Sequence, residues 1–252
     1  MIQILLSGAN GKMGQAVSRA IEQSDLLRIC AGFDINTERH FGYPVYDDLS
    51  QVTEQVDVVI DFSHPSTLDR ILDWATEHHV PAVICTTGLT TEQISRIQYE
   101  AKKIPIFFSA NMSLGVNLLI DLVTRASKIL EDNFDIEIIE KHHNQKLDAP
   151  SGTAMAIADA ISAAISYPAE YIYDRHSVRR KRGKREIGLH AVRGGTIVGE
   201  HEVLFAGTDE VISIKHSATS KEVFAVGAVR AALFLKEQKP GLYAMKDLIA
   251  AQ

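Results

Sequence analysis

Short apolar runs alternate with amphipathic segments along the first 110 or so residues. The runs are typical of strands, and the later intervening segments place apolar residues every three or four positions, as helices do. Strands alternating with helices indicate right-handed βαβ units and a parallel sheet covered on both faces. The predicted strands are Ile2–Leu6, Leu26–Phe33, Val56–Phe62, Pro81–Cys85 and Ile104–Phe108, and the predicted helices are Lys12–Gln23, Ser66–Glu77 and Thr91–Lys102.

The pattern changes after Asn111. A long helix over 114–130 and a strand over 135–140 precede a polar loop and a helix that begins near Thr153 and runs to Ile165. Three β-rich runs follow, and the glycine-containing turns between them suit hairpins of an antiparallel or mixed sheet. A helix over 222–236 then follows and is a candidate to pack back on the first domain. The runs cover 188–193, 197–205 and 211–216.

Composition and charge place the chain among ordinary globular proteins. Its 252 residues carry 26 Lys+Arg against 32 Asp+Glu, a net charge of −6, and 46% of them are apolar, which argues against a disordered or coiled-coil chain. No apolar run is as long as a membrane span, and the N-terminus lacks the basic region of a signal peptide. We therefore expect a cytoplasmic protein with no membrane partner.

Two further classes are disfavoured by residue type. Cys30 and Cys85 are the two cysteines, and they show neither CxxC spacing nor a Cys/His cluster, so we expect no disulfide framework and no metal site. The net acidity argues against nucleic acid as a partner.

A glycine turn lies directly between the first predicted strand and the first helix. Gly8, Gly11 and Gly14 form a GxxGxxG variant of the dinucleotide-binding fingerprint, where small residues let the backbone approach a pyrophosphate at a helix N-terminus. Asp34 ends the second strand. A carboxylate at this position can accept hydrogen bonds from the adenosine ribose of a dinucleotide. A carboxylate there repels a 2′-phosphate, so we expect NADH to be preferred, with NADPH possible because Arg39 is near. A turn that binds no ligand is the alternative.

A polar segment, 140–154, is the most unusual stretch of the chain. Ser151 suits an N-cap, and the amides of Gly152 and Thr153 with the Thr153 hydroxyl would bind a carboxylate at the positive end of the following helix. This arrangement predicts a site for a carboxylate of an acidic substrate. A solvated loop before a capped helix is the alternative.

Three basic side chains lie a few residues upstream of that helix. His142 and His143 supply a group that titrates near neutral pH, and Lys146 adds a cation for an acidic substrate. A His-His metal site is a lesser alternative, because no further ligand at zinc spacing accompanies the pair.

The segment 140–154 closely resembles the signature of the dihydrodipicolinate reductases, also called 4-hydroxy-tetrahydrodipicolinate reductases. The resemblance extends along nearly the whole chain, and the loop signature is its most specific part. The matching stretches are Glu-x-His-His-x-x-Lys-x-Asp-Ala-Pro-Ser-Gly-Thr-Ala at 140–154, the glycine turn, Thr-Thr-Gly at 86–88, 109–117, Val-Gly-Glu-His at 198–201 and Gly-Ala-Val-Arg at 227–230.

The resemblance implies an α/β chain with two domains. It implies an N-terminal Rossmann-type parallel sheet in a dinucleotide-binding domain over 1–112 and 221–252. It further implies a C-terminal α+β domain over 113–220, whose open mixed sheet binds substrate and builds a homotetramer. The activity it implies is NAD(P)H-dependent reduction of 4-hydroxy-tetrahydrodipicolinate in lysine and diaminopimelate biosynthesis.

The resemblance also assigns roles to residues of this sequence. His142 matches the proton donor and acceptor of the family and Lys146 its proton donor, while His143, Gly152 and Thr153 match substrate-binding positions, to which the N-cap Ser151 is added. The positions that match cofactor contacts are Gly8, Ala9, Asn10, Gly11, Lys12, Met13, Asp34, Cys85, Thr86, Thr87, Ser109, Ala110, Asn111 and Met112. Departures from the family pattern are Cys85 in place of Gly, Lys221 in place of Arg and Ala244 in place of Asp; Cys85 bears on the cofactor rim.

A basic run over 175–185 contains seven Lys and Arg residues. It is typical of a solvated loop; a field that attracts an anionic substrate is the functional alternative, and nucleic-acid binding comes third.

Two other functions compete with the reductase: a dinucleotide oxidoreductase with a different acidic substrate, and a non-catalytic dinucleotide sensor. The segment 140–154 favours the reductase, because a sensor needs neither His142 nor Lys146.

Overall fold

The computed structural model describes residues 1–251, which form two compact units. The first unit comprises Met1–Leu114 together with the C-terminal segment from Lys221, and the second comprises Gly115–Ser220. In chain order the strands are β1 (Ile2–Ser7), β2 (Leu27–Phe33), β3 (Val45–Tyr46), β4 (Val58–Asp61), β5 (Ala82–Ile84), β6 (Pro105–Phe108), β7 (Asp135–His142), β8 (Glu170–Ile172), β9 (Glu186–Arg193), β10 (Gly199–Ala206), β11 (Val211–Ala218) and β12 (Gly241–Tyr243). The helices are α1 (Lys12–Glu22), α2 (Leu68–Glu77), α3 (Thr91–Glu100), α4 (Leu114–Leu130), α5 (Gly152–Ala164), α6 (Glu222–Leu235) and α7 (Met245–Ala250).

The first unit is built on a seven-stranded parallel sheet in the order β12-β6-β5-β4-β1-β2-β3. Adjacent positions of β1 face opposite sides of this sheet. Leu6 packs with α1 and α6, whereas Leu5 packs with α2 and α3, and both side chains are fully buried. The predicted parallel sheet covered on both faces is confirmed. The sequence analysis missed β3 and β12, which are too short to show a periodic pattern.

The C-terminal helix α6 packs against this sheet and against α1, as predicted. Its buried face consists largely of alanine and glycine, which lets the helix backbone approach its neighbours closely. A Cβ atom at Gly227 would lie 1.7 Å from the carbonyl oxygen of Met112. A glycine at this position is therefore required by the close contact between α6 and the loop after β6.

The second unit is built on a mixed five-stranded sheet in the order β11-β10-β7-β9-β8. The strands β10 and β11 form the predicted hairpin, but the hairpin predicted at the turn Gly194–Gly195 is wrong. The strand β7 lies between β9 and β10 and runs parallel to β9. The Gly194 N–H donates to the carbonyl of His142 (2.9 Å), so this turn crosses the end of β7.

The strand β7 extends to His142, two residues beyond its predicted end. Its alternate residues Ile136, Ile138, Glu140 and His142 are buried on one face of the sheet. The two isoleucines pack against α4 and α5, which cover that face. Glu140 and His142 therefore belong to the buried side of a central strand, and the polar loop begins only at His143.

Candidate active site

A cavity of about 280 Å³ lies in the first unit at the carboxyl ends of β4, β5 and β6. This is the edge at which open α/β sheets bind their ligands. Seven predicted cofactor-contacting residues line it, together with Phe62, Ser63 and Phe224. The seven are Met13, Cys85, Thr86, Thr87, Ala110, Asn111 and Met112.

The glycine turn between β1 and α1 is closely packed. A Cβ atom at Gly14 would lie 2.1 Å from the Gly8 carbonyl oxygen, and one at Gly8 would lie 2.6 Å from the carbonyl oxygen of Phe62. Gly8 also has a positive φ of 74°, which favours glycine. The helix α1 begins at Lys12 without a side-chain cap, so its first amides lack a side-chain hydrogen-bond partner at the helix N-terminus.

Asp34 lies beside this turn, at the predicted position. Its carboxylate accepts hydrogen bonds from the backbone amides of Asn10 (2.9 Å) and Asn36 (3.1 Å). The Asn10 side chain donates in turn to the carbonyls of Asn36 (2.6 Å) and Glu38 (2.8 Å). The structure therefore joins the predicted ribose-binding carboxylate to the predicted pyrophosphate-binding turn. Arg39 is exposed nearby in sequence.

Asp61, at the end of β4, was missed by the sequence analysis. This fully buried carboxylate accepts hydrogen bonds from the hydroxyls of Ser63 (2.5 Å) and Thr86 (2.7 Å), both of which line the cavity. Cys85 is buried at the same edge, and burial, followed by the charge of Asp61, raises the pKa of its thiol well above the ordinary value. Cys85 is therefore a neutral lining group.

The second unit places a buried charged cluster at the end of β7. Glu140 accepts a hydrogen bond from His142 Nδ1 (2.6 Å) and two from Arg193 on β9 (both 2.7 Å). The backbone amide of Ser151 donates to the same carboxylate (3.0 Å). Burial by itself would raise the pKa of Glu140, but the hydrogen bonds from Arg193, His142 and Ser151 offset this effect and hold it below its ordinary value. Glu140 is therefore ionised at neutral pH.

The helix α5 begins beside this cluster. Ser151 is its N-cap, as predicted, and accepts a hydrogen bond from the Ala154 amide (3.1 Å). The helix starts at Gly152, one residue earlier than expected. Gly152 is exposed, with open space where a side chain would be, and Thr153 is half-buried. The first turn thus presents a glycine and a threonine at the positive end of the helix.

His201 on β10 packs against His142. The two rings lie 5.2 Å apart at 70°, and His201 Nε2 is 3.0 Å from the Ser151 hydroxyl. Burial, followed by the charges of its basic neighbours His142, His216 and Lys146, lowers the pKa of His201 to about 4, although the negative charge of Glu140 opposes this shift. His201 is therefore neutral at physiological pH.

The remaining predicted residues of this site lie on the loop after β7. Lys146 Nζ binds the carboxylate of Asp148 (2.8 Å), and this contact lowers the pKa of Asp148. The Lys146 side chain is largely buried, and His143 is half-buried. Hydrogen bonds thus join His142 and Ser151 through Glu140, whereas Lys146 is tied to Asp148.

Arg193 and His201 had no role in the sequence analysis. Arg193 follows Glu140 by 53 residues and His201 follows Ser151 by 50. Arg193 lies outside the stretches that carry the resemblance, whereas His201 ends the stretch Val-Gly-Glu-His but received no role from it. The register of the mixed sheet brings both residues to the site. An acidic residue two positions before His142 in a strand was a usable signal for Glu140, because side chains at that spacing share one face.

Six of the seven Lys and Arg residues in the basic run over 175–185 are exposed, as expected of a solvated loop, but three of its arginines pair with carboxylates. Arg182 donates to Asp135 and Glu137 (both 2.9 Å), and Arg175 binds Glu137 (3.0 Å) and the buried Glu186 (2.7 Å). Arg175 and the Gly183 amide lower the pKa of Glu186. These arginines neutralise acidic residues of their own unit, and this leaves less charge available to attract an anion.

Comparisons with known proteins agree along the whole chain. Residues 2–112 match the family model described as dihydrodipicolinate reductase, N-terminus, and residues 115–249 match the corresponding C-terminus model. The chain belongs to the dihydrodipicolinate reductase family. The resemblance stated from the sequence is therefore confirmed.

Individual relatives support the assignment. The 4-hydroxy-tetrahydrodipicolinate reductase of Caldanaerobacter subterraneus subsp. tengcongensis is 53% identical over 99% of this chain and 98% of its own length. That of Clostridium novyi is 44% identical over the full length of both chains. The structure of a dipicolinate-bound dihydrodipicolinate reductase from Paenisporosarcina sp. TG-14 superposes with a TM-score of 0.82 at 26% identity, covering 98% of this chain and 99% of that one.

Two features are absent from residues 1–251. No group of three or more His, Cys, Asp or Glu side chains there is arranged to hold a metal ion. Within the same residues, no helix has the length and apolar character needed to cross a membrane.

The depressed pKa of His201 predicts a pH-dependent stability. In the unfolded chain, His201 has the ordinary histidine pKa near 6.5 and binds a proton below that pH. In the folded protein, it binds this proton only near pH 4. The free energy of unfolding therefore falls as the pH drops below about 6.5, by roughly 2 kcal/mol between pH 7 and pH 5. We expect the free energy of unfolding, measured with urea at pH 7 and pH 5, to fall less for His201→Gln than for the wild type.

The matched control is His176→Gln, because His176 is exposed in the same unit. It should retain the wild-type pH dependence. An equal fall in wild type and His201→Gln would contradict the assignment of this effect to His201.

Proposed function

We propose that this protein uses NAD(P)H to reduce 4-hydroxy-tetrahydrodipicolinate to tetrahydrodipicolinate in lysine and diaminopimelate biosynthesis. The observation that carries the proposal is the buried histidine, His142, next to the N-terminus of α5. This arrangement places a proton-transfer group beside an anion site. The relatives of this chain are named after the same activity.

The proposed substrate is a ring with two carboxylates. We place one carboxylate at the start of α5, directly after the N-cap Ser151, where the helix N-terminus, the amides of Gly152 and Thr153 and the Thr153 hydroxyl favour an anion. His143 supplies a further donor. A solved relative is described as dipicolinate-bound, which supports a small dicarboxylate as ligand.

The proposed chemistry needs a hydride and a proton. The hydroxylated ring first loses its hydroxyl as water, and hydride transfer to the resulting unsaturated ring leaves an anion that must be protonated. Lys146 is the proposed donor of that proton, and His142 is the proposed donor and acceptor. His142 ends β7 and Lys146 lies on the loop that follows, and His142 already has one ring nitrogen bound to Glu140.

The proposed cofactor is a nicotinamide nucleotide held by the first unit. The glycine turn, Gly8 to Met13, would bind the pyrophosphate, and Asp34 the adenosine ribose. The segment Cys85–Thr87 and the segment Ser109–Met112, whose last three residues line the cavity, would contact the remainder of the nucleotide. The bound cofactor supplies the hydride, and we propose NADH as the preferred form, with NADPH also accepted.

Replacement of the two proton-transfer residues tests the activity. His142→Ala and Lys146→Ala should each lower kcat by roughly 10²–10⁴-fold, the range for acid–base groups. The measurement is nucleotide oxidation at 340 nm with substrate made in situ from pyruvate and aspartate semialdehyde by the preceding synthase.

The matched controls are His176→Ala and Lys128→Ala, two exposed residues of the same unit, and both should keep the wild-type kcat. Unchanged kcat in both site variants would refute the assignment. Nucleotide binding without turnover in the wild type would instead favour a dinucleotide sensor.

Replacement of Asp34 tests the cofactor preference. Asp34→Asn removes the charge that repels a 2′-phosphate, so the ratio of kcat/KM for NADH to that for NADPH should fall about tenfold, equivalent to roughly 1.4 kcal/mol. The exposed Asp25→Asn, in the same unit, is the control. Equal kcat/KM for the two nucleotides in the wild type would contradict the proposed preference.

A cytoplasmic location stays a prediction.

We also propose that the protein forms a homotetramer. The helices α4 and α5 cover one face of the second sheet. The opposite face carries the partly or fully exposed apolar side chains Ile139, Val192, Leu204 and Val211. This face fits association between copies of the chain. Sedimentation equilibrium at micromolar concentration should give four times the 27.8 kDa chain mass; a monomer would contradict it.

A further inference from the structure

The Glu140 carboxylate has a hydrogen-bond donor for each of its acceptor positions. An ionised carboxylate has about four acceptor positions and no donor. The donors are His142 Nδ1 and the Ser151 amide, at 2.6 and 3.0 Å, and the two terminal nitrogens of Arg193, both at 2.7 Å. The Glu140 side chain is fully buried, so these donors replace water completely.

This arrangement fixes which nitrogen of His142 carries a proton when the ring is neutral. Because an ionised carboxylate only accepts hydrogen bonds, Nδ1 must carry the hydrogen that it donates to Glu140. Nε2 is then the nitrogen with the free lone pair. A Cβ atom at Gly199 would lie 3.1 Å from Nε2, so the glycine keeps the space beside Nε2 free of a side chain.

Arg193 maintains the charge of Glu140. Its two hydrogen bonds are bidentate, the strongest geometry for a carboxylate, and they hold the pKa of Glu140 low despite burial. The same guanidinium donates to the backbone carbonyl of Asp148 (2.5 Å), whose side chain binds Lys146. The Glu140–Arg193 pair therefore connects the strand that carries His142 with the loop that carries Lys146.

We propose that Glu140 is a positioning residue for the reaction. It holds His142 as the Nδ1–H tautomer with Nε2 available for proton transfer, and through the Ser151 amide it fixes the start of α5 relative to that ring. This role rests on the proposed function of His142, but the tautomer itself can be measured without any substrate.

A purely structural buried carboxylate offers the comparison. Glu186, in the same unit, is also buried and is held by Arg175 (2.7 Å) and Arg180 (3.1 Å). No histidine within the described residues binds it. Glu186→Gln therefore measures the effect of neutralising a buried, arginine-paired carboxylate that has no histidine partner.

The first experiment combines kinetics with NMR of protein labelled with [¹⁵N]histidine. Glu140→Gln should lower kcat by at least tenfold with little change in KM, and the His142 signals should lose the Nδ1–H tautomer and its downfield Nδ1 proton. His142→Gln identifies these signals in the wild-type spectrum. Glu186→Gln should keep both kcat and the His142 tautomer.

A double-mutant cycle separates positioning from general damage. If Glu140 acts on proton transfer through His142, Glu140→Gln should produce no further fall in kcat when it is combined with His142→Gln. An equal fall in both backgrounds would overturn the proposal, as would an unchanged tautomer in Glu140→Gln.

Glu140→Asp keeps the test decisive if Glu140→Gln fails to fold. The aspartate retains the charge that Arg193 requires, but its shorter side chain withdraws from His142. It should also lose the downfield proton and lower kcat, and retention of both would overturn the proposal. If the tautomer responds as expected but the wild type lacks reductase activity, the proposed function fails and the positioning of His142 by Glu140 is upheld.

Discussion

The second unit depends on one buried ion pair, that between Glu140 and Arg193. A buried carboxylate with a missing partner is strongly destabilising, because the lost hydration is not replaced. The pair therefore constrains the three segments that supply its donors: the end of β7, the end of β9 and the start of α5. The proposed catalytic histidine and the proposed anion site lie on two of these segments, so their separation is set by the geometry of a single carboxylate.

The first unit depends on a steric constraint at the corresponding position between a strand and a helix. Neither glycine has space for a Cβ atom, because Gly14 packs against the Gly8 carbonyl and Gly8 packs against the carbonyl of Phe62. The first residues of α1 lie between the two glycines in the sequence. Asp34, which follows β2, and Asp61, which ends β4, then connect these strands to neighbouring loops by accepting hydrogen bonds from Asn10 and Thr86. Both units thus use a strand end, a helix start and a carboxylate, although one relies on close backbone packing and the other on charge.

Burial gives the histidines of the second unit different properties. His201 is neutral because it is buried among other basic groups, with only a hydroxyl beside its Nε2. His142 lies 5.2 Å from it, yet its Nδ1 binds a carboxylate. His142 therefore has the neutral ring of His201 on one side and the ionised carboxylate of Glu140 on the other. The proton-transfer role proposed for His142 needs this combination.

The sequence by itself determined the elements whose signals are local. The parallel sheet follows from apolar runs buried on both faces, the start of α5 from the N-cap Ser151, and the family from the segment 140–154. The tertiary structure decided the pairing of β9 with β7, since the turn at Gly194 and Gly195 is equally compatible with a hairpin. It also decided the partners of Glu140 and Ser151, because Arg193 and His201 reach the site only through sheet register, and a contact between residues 50 or more positions apart leaves no periodic trace in one sequence.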